Sequence, residues 1–191
     1  AQRNSQVRLT RGIGDMSPEV IHALPLKSLE AGGLTVADAI ASGFDGIFTY
    51  RRRNEKQLER VAQLLRLFSP ELVFDSKSMS SESVGDLPFA SLTDGSEAVV
   101  FILRALVHRP SLLILDEAFQ GMSGHQVAKT RAFIDGTQSW VYEGMSDTER
   151  AVDRAWREKV VIVAVSHYES EWPLTCGCLL RLSQGRVIES F

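Results

Sequence analysis

Two short apolar runs constrain this chain more than anything else in it. Leu112–Leu115 breaks into Asp116-Glu117, and Val160–Val165 breaks into Ser166-His167. Runs of this length, rich in branched residues, read as strands buried on both faces, the pattern of a parallel sheet covered by helices. The sequence around them supplies the helices. Gly95 to Val107 has apolar residues at helical spacing and is closed by Arg109-Pro110, and a polar helical region runs from about Gln126 to Lys159. The expected architecture is an α/β layered core with a mostly parallel sheet. Ligands of such sheets gather at the carboxyl ends of the strands, so Asp116, Glu117 and His167 are predicted to share one site.

The remaining segments fit around that core. From Ser5 the sequence alternates loosely to about Met16 and breaks at Ser17-Pro18, a strand running into a loop. Thr35 to Asp38 resembles a capping box that opens a short helix through Ser42, with Gly43 placed to stop it. A second helix, about Asn54 to Phe68, is predicted to turn Leu58, Val61, Leu64, Leu65 and Phe68 to one side. Ser69 to Leu87 is Ser-rich and polar, a surface connection, and Cys178 to Ser190 reads as a hairpin with its turn at Ser183 to Arg186.

Composition narrows the class. The 191 residues give room for one ordinary domain, and 44% hydrophobic with 24% charged residues weighs against a disordered chain. A net charge of -3 lacks the basic footprint of a nucleic-acid binder. Neither apolar run approaches the roughly 20 residues of a bilayer span, and no apolar stretch follows the basic start as in a secretory signal, so a soluble, intracellular, cytoplasmic protein is expected. Cys176 and Cys178 are too close for a disulfide framework, and a CxC pair without two further ligands is weak evidence for zinc.

The chemistry lies in the order of the motifs. A hydrophobic strand ending in Asp-Glu can place one acid near a metal and the other where it polarises a water, although two acids are also a common way for a strand to leave the core. Thr93-Asp94-Gly95-Ser96 opens an amphipathic helix, whose first N–H groups and positive end suit a phosphate, and equally suit a plain capped helix. Capped loop, helix, Arg-Pro, acidic strand end and Ser-His strand end together resemble the C-terminal part of an ABC-type ATPase nucleotide-binding domain, a P-loop NTPase fold. LTDGS (Leu92 to Ser96) falls at the ABC signature, LLILDE at Walker B, FQGMS (Phe119 to Ser123) at the D-loop and VIVAVSH at the switch histidine. GIGDMSPEV matches the Q-loop strand, and LTVADAIASGF through RLF resembles the helical subdomain. The pattern is similar to soluble tandem ABC ATPases of the photorepair and molybdate-associated type.

The resemblance implies residues 1–20 as Q-loop strand and loop, 21–90 as helical subdomain, and 91–191 as signature, Walker B, D-loop, switch histidine and C-terminal hairpin. It implies that Asp116 organises Mg²⁺, that Glu117 is the general base, and that His167 contacts the γ-phosphate. Thr93, Gly95 and Ser96 would touch ATP held by a partner domain in a head-to-tail pair. No GxxxxGK[ST] occurs in the 191 residues, so the reading is a partial domain, inactive alone and completed by a Walker A half. Pro18 stands at the Q-loop glutamine, Asp94 at a signature glycine, Ser96 at the usual Gln or Glu, and Ser123 at the D-loop aspartate. These departures keep a second reading open, a non-hydrolytic regulatory or binding module. A third, the head lobe of a chromosome-maintenance (SMC-type) ATPase, should follow a long coiled coil, and residues 1 to 90 instead carry a strand, a turn and short helices. Trp140, Tyr142 and Trp156 are expected to pack a helix onto the sheet rather than to mark a partner surface.

Overall fold

A computed structural model describes residues 13–16, 33–45, 52–74, 83–184 and 186–190. The helix Asp94–Leu106 is the central element, because its residues from Gly95 to Leu106 are buried all round apart from Glu97. For clarity the elements are β1 (Ile13–Met16), α1 (Val36–Ala41), α2 (Glu55–Phe68), α3 (Asp94–Leu106), β2 (Leu112–Asp116), α4 (Gly124–Asp135), α5 (Asp147–Arg157), β3 (Val161–Val165), β4 (Leu180–Ser183) and β5 (Arg186–Ser190).

The first three strands form the expected parallel sheet in the order β1-β2-β3, with Leu112 beside Ile13 and Val161. Leu113 and Leu115 point into the core and are 0% and 1% exposed, flanked in register by the half-buried Ile162 and Ala164 of β3. The opposite face differs from the sequence reading. Leu112 and Ile114 are only half-buried there, and Val161, Val163 and Val165 are 59%, 47% and 52% exposed. The two strands are apolar on both faces but buried on one. Gly14 brings β1 close to α3, since a Cβ there would lie 2.5 Å from the Ala105 carbonyl oxygen. The C-terminal β4–β5 hairpin forms as expected, antiparallel, with Leu180, Leu182, Val187 and Ile188 exposed.

Helix α1 packs on α3, and α2 packs on α1 in turn. Thr35 caps α1 as its sequence indicates, accepting from the Asp38 N–H at 3.1 Å and donating to the Asp38 carboxylate at 2.9 Å. Arg104 of α3 donates to Ser42 at the end of α1 at 2.9 Å. Asn54 and Gln57 form the capping box of α2, which buries Val61, Leu64, Leu67 and Phe68. Leu58 corrects the predicted apolar face: it is 55% exposed, one turn ahead of the buried stripe, and Leu67 takes the fourth place in the core.

The single helical region expected over Gln126 to Lys159 is two helices. Gly136 ends α4 in a left-handed conformation (φ 65°), a 3₁₀ turn spans Ser139–Tyr142, and Gly144 (φ 72°) precedes α5. Trp140, Tyr142 and Trp156 are half-buried against the core, with Trp140 on Phe68 of α2 rather than on the sheet. Phe133 meets Phe68 edge-on at 5.2 Å and stacks with Trp140 at 6.4 Å, and Trp156 donates its indole N–H to the Pro110 carbonyl at 2.6 Å. Helix α5 is anchored by charge as well. Asp153 is 0% exposed and meets Arg109 at 2.9 Å, Arg157 at 3.0 Å and Arg60 of α2 at 3.4 Å. Burial and the neighbouring Arg109 pull the Arg60 guanidinium down to about 9.

Asp153→Ala leaves three arginines around an empty place in the interior. The loss expected for breaking a buried ion pair is about 3–5 kcal/mol, read from urea unfolding. A second expectation concerns acid. His108, after α3, has both ring nitrogens buried without a hydrogen-bond partner, and burial with the nearby Arg104 pushes its ring down to about 4. The unfolded chain therefore takes up this proton first, so stability is full above about pH 6.5 and declines as pH falls toward 4. His108→Leu should flatten that part of the pH profile in urea titrations at pH 4 to 7.

Candidate functional site

The carboxyl end of the sheet brings together the three residues predicted there. β2 ends at the half-buried Asp116, and the next residue, Glu117, takes a left-handed backbone (φ 49°) while its N–H still donates to the Val165 carbonyl at 2.9 Å. This bond continues the pairing of β2 with β3 for one residue after the chain has turned. It carries the Glu117 side chain to the loop after β3, where a carboxylate oxygen lies 3.5 Å from Nε2 of His167. Glu117 is 32% exposed and His167 87% exposed, so both open onto solvent. The loop holding His167 is fastened below it. The Ser166 hydroxyl donates to the Glu171 carboxylate and accepts from the Tyr168 N–H at 3.1 Å.

Thr93, Gly95 and Ser96 lie elsewhere, at the start of α3. Thr93 and Gly95, with Asp94, Gly121, Met122, Ser123 and Gln126, line an open hollow of about 610 Å³, and Ser96 lies behind its wall. Thr93 donates its N–H to the Val73 carbonyl at 3.0 Å and makes no side-chain cap bond. Ser96 is 0% exposed and its hydroxyl points inward, accepting from the Val73 N–H at 2.8 Å. A nucleotide could meet this turn through Thr93 and the backbone of Asp94 and Gly95, with Ser96 bracing it from behind. Asp94 is exposed at the helix start.

Gly95 sits against the FQGMS turn. A Cβ on Gly95 would come within 2.5 Å of the Gly121 carbonyl oxygen and 3.0 Å of the Gln126 side-chain oxygen. Ser123, at the position of the D-loop aspartate, caps α4 in a capping box with Gln126. Sequence reasoning missed Glu71, Gln126 and Lys129, and gave His125 no role. His125 and Lys129 hold the Glu71 carboxylate at 2.7 and 2.9 Å. Burial opposes ionisation of Glu71, but these two partners outweigh it and hold the carboxyl below its ordinary range. The capping-box spacing from Ser123 to Gln126 was the available signal.

Pro18 lies outside the described residues. Among the described residues no three His, Cys, Asp or Glu side chains are grouped to hold a metal ion by themselves, and no helix is long and apolar enough to cross a membrane. Cys176 and Cys178 are free and exposed.

No family model matches the chain. It is 23% identical over 180 residues to C323.04, an uncharacterized ABC transporter ATP-binding protein of Schizosaccharomyces pombe, covering 94% of this chain and 30% of that protein. It is 37% identical over 102 residues to the ABC transporter ATP-binding protein ModF of Escherichia coli, covering 53% of this chain and 19% of ModF. Its fold matches that of a solved ATP-binding cassette of an ABC transporter with a TM-score of 0.56 at 16% identity, covering 96% of this chain and 62% of the cassette. The chain thus spans less than a third of either relative. Its fold is the α/β fold of an ABC ATPase cassette. Its sequence relatives are ABC transporter ATP-binding proteins, in agreement with the motif resemblance.

Gly95→Ala forces a methyl group onto the Gly121 carbonyl and separates the two loops. The expected cost is about 1–3 kcal/mol, the usual range for overpacking, checked by urea unfolding against Gly124→Ala, where a Cβ meets nothing within 4 Å.

Proposed function

We propose that this chain supplies the later part of an ATP-hydrolysing ABC domain and works when a Walker A half and a second ABC domain, arranged head to tail, complete it. The observation that carries the reading is the convergence of Asp116, Glu117 and His167 at one end of the parallel sheet, with Glu117 and His167 3.5 Å apart. A carboxylate paired with an imidazole at a solvent-facing strand end can accept a proton from water and keep that water oriented. ATP binding by the relatives supports the same reading.

The residues present fit part of a Mg²⁺–nucleotide site. Asp116 would hold the metal through water, and Thr93 with the backbone at Gly95 would meet the terminal phosphate of a nucleotide bound by the partner. Mg²⁺ supplies charge neutralisation at the phosphates when bound. Glu117 takes the proton of the attacking water, and His167 orients it. The lysine and glycine cradle for the phosphates is not among the 191 residues, which is why a Walker A half belongs to the proposal. The exposed Val161, Val163 and Val165 face of β3, at one end of the described sheet, offers an apolar surface for that half to cover. In this reading residues 21–90 act as the helical subdomain and 91–191 carry the motifs, inside the cell.

One observation favours a second reading, a regulatory module that lends its loop surface to a partner ATPase without hydrolysing ATP itself. Asp94 is exposed on the rim of the hollow, and a carboxylate 4 Å from a phosphate oxygen is repelled by about 4 kcal/mol per unit charge at an effective dielectric near 20.

The chain alone is expected to show no Mg²⁺–ATP turnover above background in a phosphate-release assay. Co-expressed with a Walker A half it should turn over, and Glu117→Gln should lower that turnover by about 10²-fold or more. Turnover in the completed protein that is indifferent to Glu117→Gln would overturn the hydrolytic reading and favour the regulatory one.

A further inference from the structure

We propose that Gln126 is a positioning residue that joins the Gly121–Ser123 turn to the Thr93–Ser96 loop, so that the two loops move as one rigid piece. Gln126 is 7% exposed and its amide is used at both ends. The side-chain oxygen accepts from the Ser123 N–H at 2.8 Å, while the amide nitrogen donates to the Glu71 carbonyl at 2.8 Å and reaches the Ser96 hydroxyl at 3.4 Å. Ser96 continues the link, with Thr93 donating to its hydroxyl at 3.1 Å and that hydroxyl 3.3 Å from the Glu71 carbonyl.

Two further contacts make the link stiff. His125 and Lys129, flanking Gln126 on α4, grip the Glu71 side chain, so α4 holds residue 71 by its carbonyl and its carboxylate together. Gly95 and Gly121 touch with no side chain between them, so neither loop can shift toward the other. Three buried polar groups, Glu71, Ser96 and Gln126, from segments far apart in sequence, thus satisfy one another, and none can move without leaving a buried partner unpaired. An amide is the side chain that can both accept from Ser123 and donate to Glu71; a carboxylate keeps only the first bond, and a hydrocarbon keeps neither.

The consequence for a partner's nucleotide rests on the proposed function, since only then do both loops face one. The mechanical link itself can be tested without nucleotide, by hydrogen–deuterium exchange on the 191-residue chain. Gln126→Leu is expected to speed exchange about tenfold both at 93–97 and at 119–124. Gln126→Glu should retain protection at 119–124 and lose it at 71–74 and 93–97. The decisive variant is Ser96→Ala, which leaves the Gln126 bond to the Ser123 N–H in place yet should speed exchange at 119–124. Because it deletes a single oxygen, it keeps the test open if Gln126→Leu does not fold, and exchange within β2 and β3 reports any global unfolding. Changes confined to the altered loop in Ser96→Ala, or equal effects of Gln126→Glu at both loops, would overturn the proposal. Loss of ATP turnover from the functional reading would leave this result untouched, so the two failures are distinguishable.

Discussion

The structure hangs on the burial of α3. A helix enclosed on nearly every side must be covered by more than one layer, and here these include the parallel sheet and α1, which α2 backs in turn. Everything of functional interest is set by that sandwich. The N-terminal turn of α3 carries Thr93, Gly95 and Ser96, and the strand that follows it ends in Asp116. The distance between the Thr93–Ser96 turn and the acidic strand end is thus fixed by one helix, one short loop and one strand, with little freedom between them.

The segment between β2 and β3 adds a second brace. Ordinary apolar packing of Phe133 and Trp140 on Phe68 brings it onto α2, and the Asp153 carboxylate holds Arg60, Arg109 and Arg157. One side chain thereby ties the helical layer, the loop ahead of the acidic strand and the inserted helix. A buried ion cluster of this kind is weak evidence for net stability, but it is demanding about geometry, because each arginine must find its place or remain charged and unpaired.

Local patterns were legible in the sequence to the extent that their causes are local. The helical spacing of α2 and α3, the Thr35 cap and the apolar strands all follow from short-range periodicity and capping, and the resemblance of LTDGS, LLILDE and VIVAVSH located the candidate site. Leu58 shows the limit: it has the right period for α2 but lies a turn beyond the layer that would bury it. The break between α4 and α5 was visible as Gly136 and Gly144, and the polar texture around them concealed it. Asp153 and Glu71 were not legible at all. A charged residue on a polar helix or turn reads as solvated, and apart from Arg157 the partners of these two come from segments about 40 to 90 residues away. Nor does composition reveal that Ser96 faces inward, because only the approach of residues 71–73 and Gln126 decides it.

Position 117 sets folding and the proposed chemistry against each other. Its backbone is left-handed, a conformation that suits glycine or asparagine and costs a bulkier residue about 1 kcal/mol or more, yet the residue is a glutamate whose side chain contributes nothing to the core. Replacement by glycine would relax the turn. Mutational drift at this site is therefore downhill in folding energy and away from the acid, so a descendant without the proposed hydrolytic role would lose the carboxylate with no loss of fold to oppose it. A glutamate at this left-handed turn is not accounted for by folding stability, which is what the proposed general base would require.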